Sequence, residues 1–319
     1  MSTSGESREM VSVVITSYNQ ARFLADSIDS VLQQTYPCVE IAVVDDGSQD
    51  CPEAIVKRYP SVSFVRQSNQ GVAVARNRGW RASRGGFVVF LDADDRLLPA
   101  AVELGRESLS RRAECGFVFG RGTLVDAQGR PLPSSFTEVA GWYGYAHFLE
   151  HNPIAFPALA MHRRSALEAV GGFTSIVDNV TIGNASDYDL YLRMSGRFPV
   201  YAHGELVAAW RQHTANTSRQ SLMMLRSTVA VLASQRAVAR ASRRYEKARQ
   251  RGLRRLRQHY GEQLIEELRA EWRNGDMNWG RFASSVVALL RHYPEGMILN
   301  AARKARQTLK GVLRVGASG

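Results

Sequence analysis

The first third of the sequence alternates short β-branched runs with segments of helical periodicity, which constrains the fold more than any other feature. Apolar runs at residues 11–16, 41–44, 62–65 and 87–91 are short enough for buried strands. Segments between them favour helices, the clearest over Val72–Ala82. Alternating strands and helices are typical of a mostly parallel sheet with helices packed against it. The sequence therefore predicts an α/β fold.

Two local patterns sharpen this interpretation. Apolar residues recur at helical spacing after the first strand, at Leu24, Ile28, Val31 and Leu32. After the second strand, Asp50 is expected to cap a helix that continues through residue 56, with a proline in its first turn.

Polar clusters follow three of these strands directly. They are Thr16-Ser17-Tyr18-Asn19, Asp45-Asp46 and Asp92-Ala93-Asp94-Asp95. Open α/β sheets bind ligands beyond the carboxyl ends of their strands. The three clusters therefore predict one functional site at that edge of the sheet.

The acidic cluster at residues 92–95 indicates a cation. Carboxylates crowded at the end of a buried strand repel one another unless a positive charge lies among them. Mg²⁺ and Mn²⁺ favour oxygen ligands and are held by one or two carboxylates together with substrate phosphates. A solvated acidic turn or a helix cap is the alternative explanation.

Further segments, together with the strands and polar clusters, resemble glycosyltransferase family 2 in their order and spacing. The resemblance covers about residues 11–215 and is carried by VSVVITSYN (11–19), SVLQQTYP (30–37), EIAVVDDGSQD (40–50), NQGVAVARNRG (69–79), FLDADD (90–95), GGF (171–173) and SDYDL (186–190). It implies a GT-A fold and an enzyme of hexosyltransferase type. That enzyme would use nucleoside-diphosphate sugars and invert the anomeric carbon.

The resemblance also implies a donor site. Asp46 would accept a hydrogen bond from the base, commonly uracil, while Asp45 would brace the turn, and Asn77 would lie near the phosphates and ribose. The residues implied to bind the nucleotide are Thr16, Ser17, Tyr18, Asp46, Arg76 and Asp92. A guanidinium such as that of Arg76 matches phosphate oxygens well, although an arginine on an exposed helix face is an alternative explanation.

The metal would be Mn²⁺ or Mg²⁺. The resemblance implies that Asp94 ligates it, with Asp95 in support, and that His213 approaches the metal or the diphosphate. An imidazole can make either contact. It is an equally good explanation that His213 is a core or surface histidine with no catalytic role.

The resemblance assigns the general base to Asp187, at the start of a predicted helix. A carboxylate there would take the proton from an acceptor hydroxyl during a single displacement. A simple helix-capping role is the alternative. Ser186 stands where the family often has a glutamate, so no role transfers to that position.

Charge divides the chain near Arg219. Residues 1–219 hold 21 Lys and Arg against 23 Asp and Glu, whereas residues 220–319 hold 20 against 7. The sequence predicts a disordered segment over 1–10, a GT-A domain over 11–219 and a basic helical region over 220–319. Helices are predicted over 253–268 and 282–309, with interruptions at residues 274–275 and at Pro294.

The basic region has two open interpretations. It could attach the protein peripherally to an anionic inner membrane face, or it could be a solvated helical cap on the catalytic domain. Nucleic acid is disfavoured as a partner, because no nucleic-acid-binding motif accompanies the positive charge. With no secretory segment, no C-x-x-C pair and no apolar stretch of about 18 residues, the sequence predicts a cytoplasmic protein.

The expected function is sugar transfer from a nucleotide sugar, with UDP as the expected nucleotide. The acceptor would be a hydroxyl on a saccharide or lipid-linked acceptor during polysaccharide, lipopolysaccharide or glycoprotein synthesis. Two alternatives remain: a sugar-phosphate nucleotidyltransferase, and an inactive scaffold that binds an anionic partner through its basic tail. A P-loop or dinucleotide-binding enzyme is disfavoured because neither glycine motif is present.

Overall fold

A computed structural model describes residues 9–133, 139–213 and 220–298. The chain forms two compact units, residues 1–216 and 217–319. Residues 1–8 of the segment predicted to be disordered lie outside the described residues. At residue 9 the chain is held by Tyr36, whose hydroxyl donates to the Glu9 carbonyl at 2.7 Å.

The first unit contains twelve described strands and seven described α-helices. The strands are β1 Val11–Ser17, β2 Val39–Asp45, β3 Val62–Arg66, β4 Phe87–Asp92, β5 Arg96–Leu97, β6 Phe117–Val125, β7 Pro131–Leu132, β8 Gly141–Tyr143, β9 Ala160–Arg163, β10 Ile176–Val177, β11 Val180–Thr181 and β12 Val200–Arg211. The helices are α1 Ala21–Leu32, α2 Pro52–Val56, α3 Val72–Ala82, α4 Ala101–Ser110, α5 Tyr145–Glu150, α6 Arg164–Val170 and α7 Ser186–Ser195.

Ten of these strands form one sheet in the order β3-β2-β1-β4-β9-β6-β12-β5, with β7 paired to β6 and β8 to β12. Strands β3, β2, β1 and β4 run parallel. Strand β9 is antiparallel to both β4 and β6, whereas β6 and β12 are parallel. The predicted mostly parallel sheet is confirmed. Every residue of β1 is buried, as expected for a strand with helices on both faces of its sheet.

The strand order reverses at β1, whose neighbours in the sheet, β2 and β4, lie on opposite sides of it. Such a switch point opens a crevice at the carboxyl ends of the strands. In the register, Thr16 lies opposite Asp92 of β4, and Ser17 lies opposite Asp45 of β2. The register therefore brings the three polar clusters to one edge.

Helix α3 lies close against β1 and β2 because a glycine faces the sheet. A Cβ at Gly79 would lie 2.2 Å from Val14 Cγ1 and 3.0 Å from Val44 Cγ2. A larger side chain would have to push the helix away from the strands. The bounds of α3 agree with the predicted 72–82.

The predicted capping role of Asp50 is wrong. Cys51 occupies the N-cap of α2 in a left-handed conformation, with no side-chain hydrogen bond. Asp50 Oδ2 instead accepts from the Ala21 amide at 2.8 Å, at the start of α1. The Asp50 carboxylate therefore accepts from a first-turn amide of α1, 29 residues earlier in the chain. Local sequence patterns do not show such a contact.

The helical unit contains α8 Ser221–Ser234, α9 Arg236–Ala239, α10 Arg243–Asn274 and α11 Trp279–His292. Its core is a cluster of buried apolar residues from α8, α10 and α11 and the segment that follows α11: Leu225, Val229, Leu264, Leu268, Leu289 and Tyr293. The predicted helix over 253–268 lies within α10. The predicted break at 274–275 is present, since Gly275 ends α10 with φ of 76°.

The interruption predicted at Pro294 within the helical stretch 282–309 is present. Helix α11 ends at His292, two residues before Pro294, because a proline disfavours helical backbone at the residue that precedes it. Residues 299–309 of that prediction lie outside the described residues. In the described ranges of the chain, no helix is both long and apolar enough to cross a bilayer.

Candidate active site

The carboxyl end of β2 carries two buried carboxylates that organise loops. Asp45 Oδ1 accepts from the Ser48 amide at 2.9 Å, which braces the turn as expected. Asp46 Oδ1 accepts from Gln67 Nε2 at 2.7 Å and from the Gln70 amide at 2.9 Å, while Oδ2 accepts from the Gly71 amide at 2.9 Å. Asp46 thus holds the loop that leads into α3. Sequence reasoning missed this contact to Gln67.

The end of β1 contributes three different environments. Thr16 Oγ1 donates to Asp92 Oδ1 at 3.1 Å. Ser17 is buried, and its hydroxyl has no hydrogen-bond partner among the described residues. Tyr18 is half exposed, with its side chain accessible at the mouth of the crevice. An aromatic face and a buried hydroxyl are features that a nucleotide pocket can use.

Arg76 is buried, contrary to the alternative that placed it on an exposed helix face. Its Nη2 donates to Asp92 Oδ1 at 2.8 Å. Burial would lower the pKa of Arg76, but the charges of Asp92 and Asp187 outweigh it and raise that pKa. The guanidinium is therefore a permanent positive charge among the carboxylates of the site.

Asn77, the neighbour of Arg76, has a side chain engaged in tertiary structure. Its Nδ2 donates to the Phe173 carbonyl at 2.8 Å, and its Oδ1 accepts from the Phe173 amide at 2.9 Å and from Trp80 Nε1 at 3.0 Å. The GGF segment is therefore tied to α3 by this amide. The expected position near the donor phosphates stays a prediction.

Asp94 faces His213 at the end of β4. Its Oδ2 lies 2.9 Å from His213 Nε2. Burial and the charge of Asp92 raise the pKa of Asp94, and His213 partly opposes this shift. Asp95 is turned inward, where Oδ1 accepts from the Arg211 amide at 2.9 Å. Burial and the charges of Asp94 and Asp92 hold the pKa of Asp95 well above its usual range.

Arg211 is a buried residue of the site that sequence reasoning missed. Its guanidinium donates to the Asp94 carbonyl through Nε, to the Ala127 carbonyl through Nη1 and to Asp26 Oδ2 through Nη2, each at 2.9 Å. It thereby fixes the backbone of the 92–95 segment. The signal in the sequence was its place two residues before His213, at the end of a strand that the periodicity did not reveal.

Asp187 lies in the first turn of α7 and is buried. Its Oδ1 accepts from the Tyr188 amide at 2.7 Å, while Ala185 occupies the N-cap. Burial raises the pKa of Asp187 to about 6, against the opposing charge of Arg76. A carboxyl with a pKa near neutrality can accept a proton at physiological pH.

Asp92 and Arg76 connect the strand end to α7. The charges of both act on the Asp187 carboxyl, and the charge of Asp92 also acts on Asp94. The structure thus brings together a base-like carboxyl, a buried cation and a carboxylate–imidazole pair.

Asp94 and His213 offer a carboxylate oxygen and an imidazole nitrogen, both of which are metal ligands in proteins. Their Oδ2–Nε2 separation of 2.9 Å is that of a hydrogen bond, which a bound cation would replace. Within the described parts of the chain, no group of three or more His, Cys, Asp or Glu side chains could hold a metal. Such a pair would leave further positions to phosphate and water, as Mg²⁺ commonly requires.

Comparison with known proteins agrees with this architecture. The model of glycosyl transferase family 2 matches residues 12–171, which is half of the chain. Chondroitin synthase of Escherichia coli is 29% identical over 217 residues, or 67% of this chain and 30% of the synthase. The putative teichuronic acid biosynthesis glycosyltransferase TuaG of Bacillus subtilis is 34% identical over 130 residues, or 39% of this chain and 51% of TuaG.

Two solved structures show the same fold. S. aureus TarS 1–349 in complex with UDP-GlcNAc has a TM-score of 0.63 at 16% identity, covering 88% of this chain and 79% of that one. The mannosyltransferase PcManGT of Pyrobaculum calidifontis, in complex with GDP-Man and Mn²⁺, has a TM-score of 0.55 at 20% identity, covering 91% and 82%. The fold is therefore GT-A, and the chain belongs to glycosyl transferase family 2.

Proposed function

We propose that the protein is an inverting, metal-dependent glycosyltransferase that moves a sugar from a UDP-sugar to a hydroxyl group of a saccharide or lipid-linked acceptor in cell-envelope polysaccharide synthesis. One observation carries the proposal. Arg76 donates to Asp92, and the charge of Asp92 acts on both the Asp94 and the Asp187 carboxyls, so that the end of β4 and the start of α7 belong to one charged site.

Asp187 is the proposed base. It takes the proton from the acceptor hydroxyl while that oxygen forms a bond to the anomeric carbon of the donor. The bond between that carbon and the diphosphate breaks on the opposite side, so the configuration inverts. The proton ends on the Asp187 carboxyl, and the nucleoside diphosphate leaves as an anion.

The donor lies at the carboxyl ends of β1, β2 and β4 in this proposal. Tyr18 and the loop held by Asp46 form the nucleotide side, while Thr16, Ser17 and Asp92 face the ribose and sugar. Arg76 acts mainly by holding Asp92, because its guanidinium donates a hydrogen bond to that carboxylate.

Asp94 and His213 would hold Mn²⁺ or Mg²⁺, with Asp95 supporting the loop from behind. The ion would neutralise charge on the departing diphosphate. Family membership favours glycosyl transfer over nucleotidyl transfer. The clustered ionisable groups favour an enzyme over an inactive scaffold, since shifted pKa values concentrate at functional sites.

A thermal-shift screen of UDP-, GDP-, CDP- and dTDP-sugars, each with and without Mn²⁺, tests the donor assignment. Ligand binding to the native state raises its melting temperature. We expect a UDP-sugar with Mn²⁺ to give the largest shift. Asp94→Asn should remove the Mn²⁺-dependent part, whereas Asp178→Asn, on an exposed hairpin residue, should retain it. A shift that is independent of Mn²⁺ and of Asp94 would overturn the metal assignment.

A further inference from the structure

Helix α11 is apolar on two sides, and the described residues of the chain cover only one of them. Leu289 is 2% exposed and packs in the core of the helical unit. Trp279, Val287 and Leu290 are 65%, 61% and 57% exposed. At helical spacing, these three residues and the exposed Ala283 share one face, because they lie within about a quarter of a turn of one another.

A tryptophan of α10 extends this surface. Trp272 is 66% exposed, and its ring centroid lies 6.3 Å from that of Trp279. We call the surface formed by Trp272, Trp279, Ala283, Val287 and Leu290 the α11 face. It carries no charged residue, and it exposes two large aromatic side chains at one end. Contiguous exposed apolar surface of this kind marks an interaction site.

Positive charge lies beside the middle of the same helix and in its last turn. Arg226 Nη2 donates to Ser284 Oγ at 2.9 Å, which places that guanidinium beside α11. Arg291 is exposed in the last turn of α11.

The balance of charge over the described helical unit is also positive. Residues 220–298 contain 15 Lys and Arg against 7 Asp and Glu. Glu267 and Glu271 of α10 are paired with Arg281, and Asp276 lies exposed three residues before the start of α11. The net positive charge of the unit around the α11 face opposes the approach of a second copy and favours an anionic surface.

We propose that the α11 face inserts into the interfacial region of an anionic phospholipid bilayer. Tryptophan and aliphatic side chains would bury among the headgroups and upper acyl chains, while arginines beside α11 and in its last turn contact lipid phosphates. The helix lies along the interface and does not span the bilayer. This proposal concerns the helical unit and stands independently of the sugar-transfer assignment.

Sedimentation of the full-length protein with vesicles tests the proposal. We expect the wild type to pellet with vesicles of phosphatidylcholine and phosphatidylglycerol and to bind pure phosphatidylcholine vesicles far more weakly. Val287→Asp should weaken binding to the anionic vesicles at least about tenfold. It removes an aliphatic group that would be buried in the bilayer, and it adds a negative charge. Trp279→Ser should weaken it in the same direction.

Val238→Asp is the matched control. Val238 is 56% exposed on α9, outside the α11 face, and the substitution changes size and charge identically. It should leave vesicle binding unchanged. Equal loss in both variants, or equal binding to neutral and anionic vesicles, would overturn the proposal. So would a wild-type dimer in light scattering that Val287→Asp dissociates while lipid binding persists. Unchanged melting shifts with nucleotide sugars in all variants would show that the donor site is intact.

Discussion

Burial controls the acidity of Asp187. Its pKa is raised to about 6, and it is the proposed base, so it must be ionised to accept a proton. We expect the transfer rate to fall about tenfold per pH unit below about pH 6 and to level off above pH 7. Initial rates from pH 5 to 8, at saturating donor and metal, give this profile. A flat profile from pH 5 to 7, with the protein folded throughout, would exclude Asp187 as the base.

The same shift has a consequence for stability. A carboxyl whose pKa is higher in the folded state stabilises that state at low pH, and this contribution is lost as the pH rises through about 6. At pH 7 the ionised group therefore costs about 3 kcal/mol, since each pKa unit is about 1.4 kcal/mol. Asp187→Asn should raise the free energy of unfolding by about 1–3 kcal/mol, as measured in urea.

Asp189→Asn is the control for that prediction. Asp189 Oδ2 accepts from Arg193 Nε at 2.7 Å, and its side chain is buried on the same helix. Removing that charge leaves the arginine without its ionic partner, so stability should fall. If both variants shift stability in the same direction, burial does not determine the energetics of Asp187.

Arg211 donates to the Asp94 carbonyl, to the Ala127 carbonyl and to Asp26 Oδ2, and so ties the segment that follows β4 to two other parts of the chain. Arg211→Met should cost about 2–4 kcal/mol of stability, because it leaves these carbonyl groups without their donor and Asp26 without its ionic partner. It should also weaken the Mn²⁺-dependent melting shift. Arg130→Met is the control, since Arg130 is exposed and its pair with Asp126 contributes at most about 1 kcal/mol. A stable Arg211→Met protein with normal metal response would contradict this role.

The sequence indicated where the candidate residues lie better than which contacts they make. The positions of Asp92, Asp94 and Asp187 at strand and helix ends could be predicted, because polar residues there stand out against apolar runs. The hydrogen bonds of Asp46 to the 67–71 loop could not, since they depend on tertiary closure. Arg211 was hidden in the same way, because nothing local distinguishes a buried arginine from an exposed one.

At the scale of elements, the contact of α3 with the sheet positions Arg76. Gly79→Ala would place a Cβ 2.2 Å from Val14 Cγ1. Alanine improves helix propensity by about 1 kcal/mol, but overpacking costs about 1–3 kcal/mol, so we expect net destabilisation and reduced turnover. Gly86→Ala is the control, because its Cβ would meet no atom within 4 Å. Higher stability in Gly79→Ala than in Gly86→Ala would contradict this packing.

The first four strands were predictable and several later ones were not. Strands β1 to β4 are rich in β-branched and aromatic residues, and most residues of β1, β2 and β4 are buried, as in a parallel sheet that is covered on both faces. Strand β6 contains Gly120 and Gly122, which break the pattern. A Cβ at Gly120 would lie 2.5 Å from the His203 ring, and one at Gly122 would lie 2.6 Å from the Phe156 ring. These glycines make room for neighbouring side chains, a need that only the tertiary structure shows.

At the scale of the whole molecule, each unit has its own core, and every proposed site residue lies in the first. Leu264 is fully buried in the core of the helical unit. Leu264→Ala should destabilise that unit by about 2–5 kcal/mol. Calorimetry should show the lower stability of the helical unit. The rise in melting temperature that a UDP-sugar produces should be retained. Loss of that shift would show that the helical unit contributes to donor binding.

The most direct test of the account compares donor binding with turnover in Asp187→Asn. The account predicts donor affinity within about threefold of the wild type, because the acceptor-side carboxyl does not hold the nucleotide, and a loss of transfer of about 10²–10⁴-fold. Asp187→Asn turnover within a few-fold of the wild type would contradict the account.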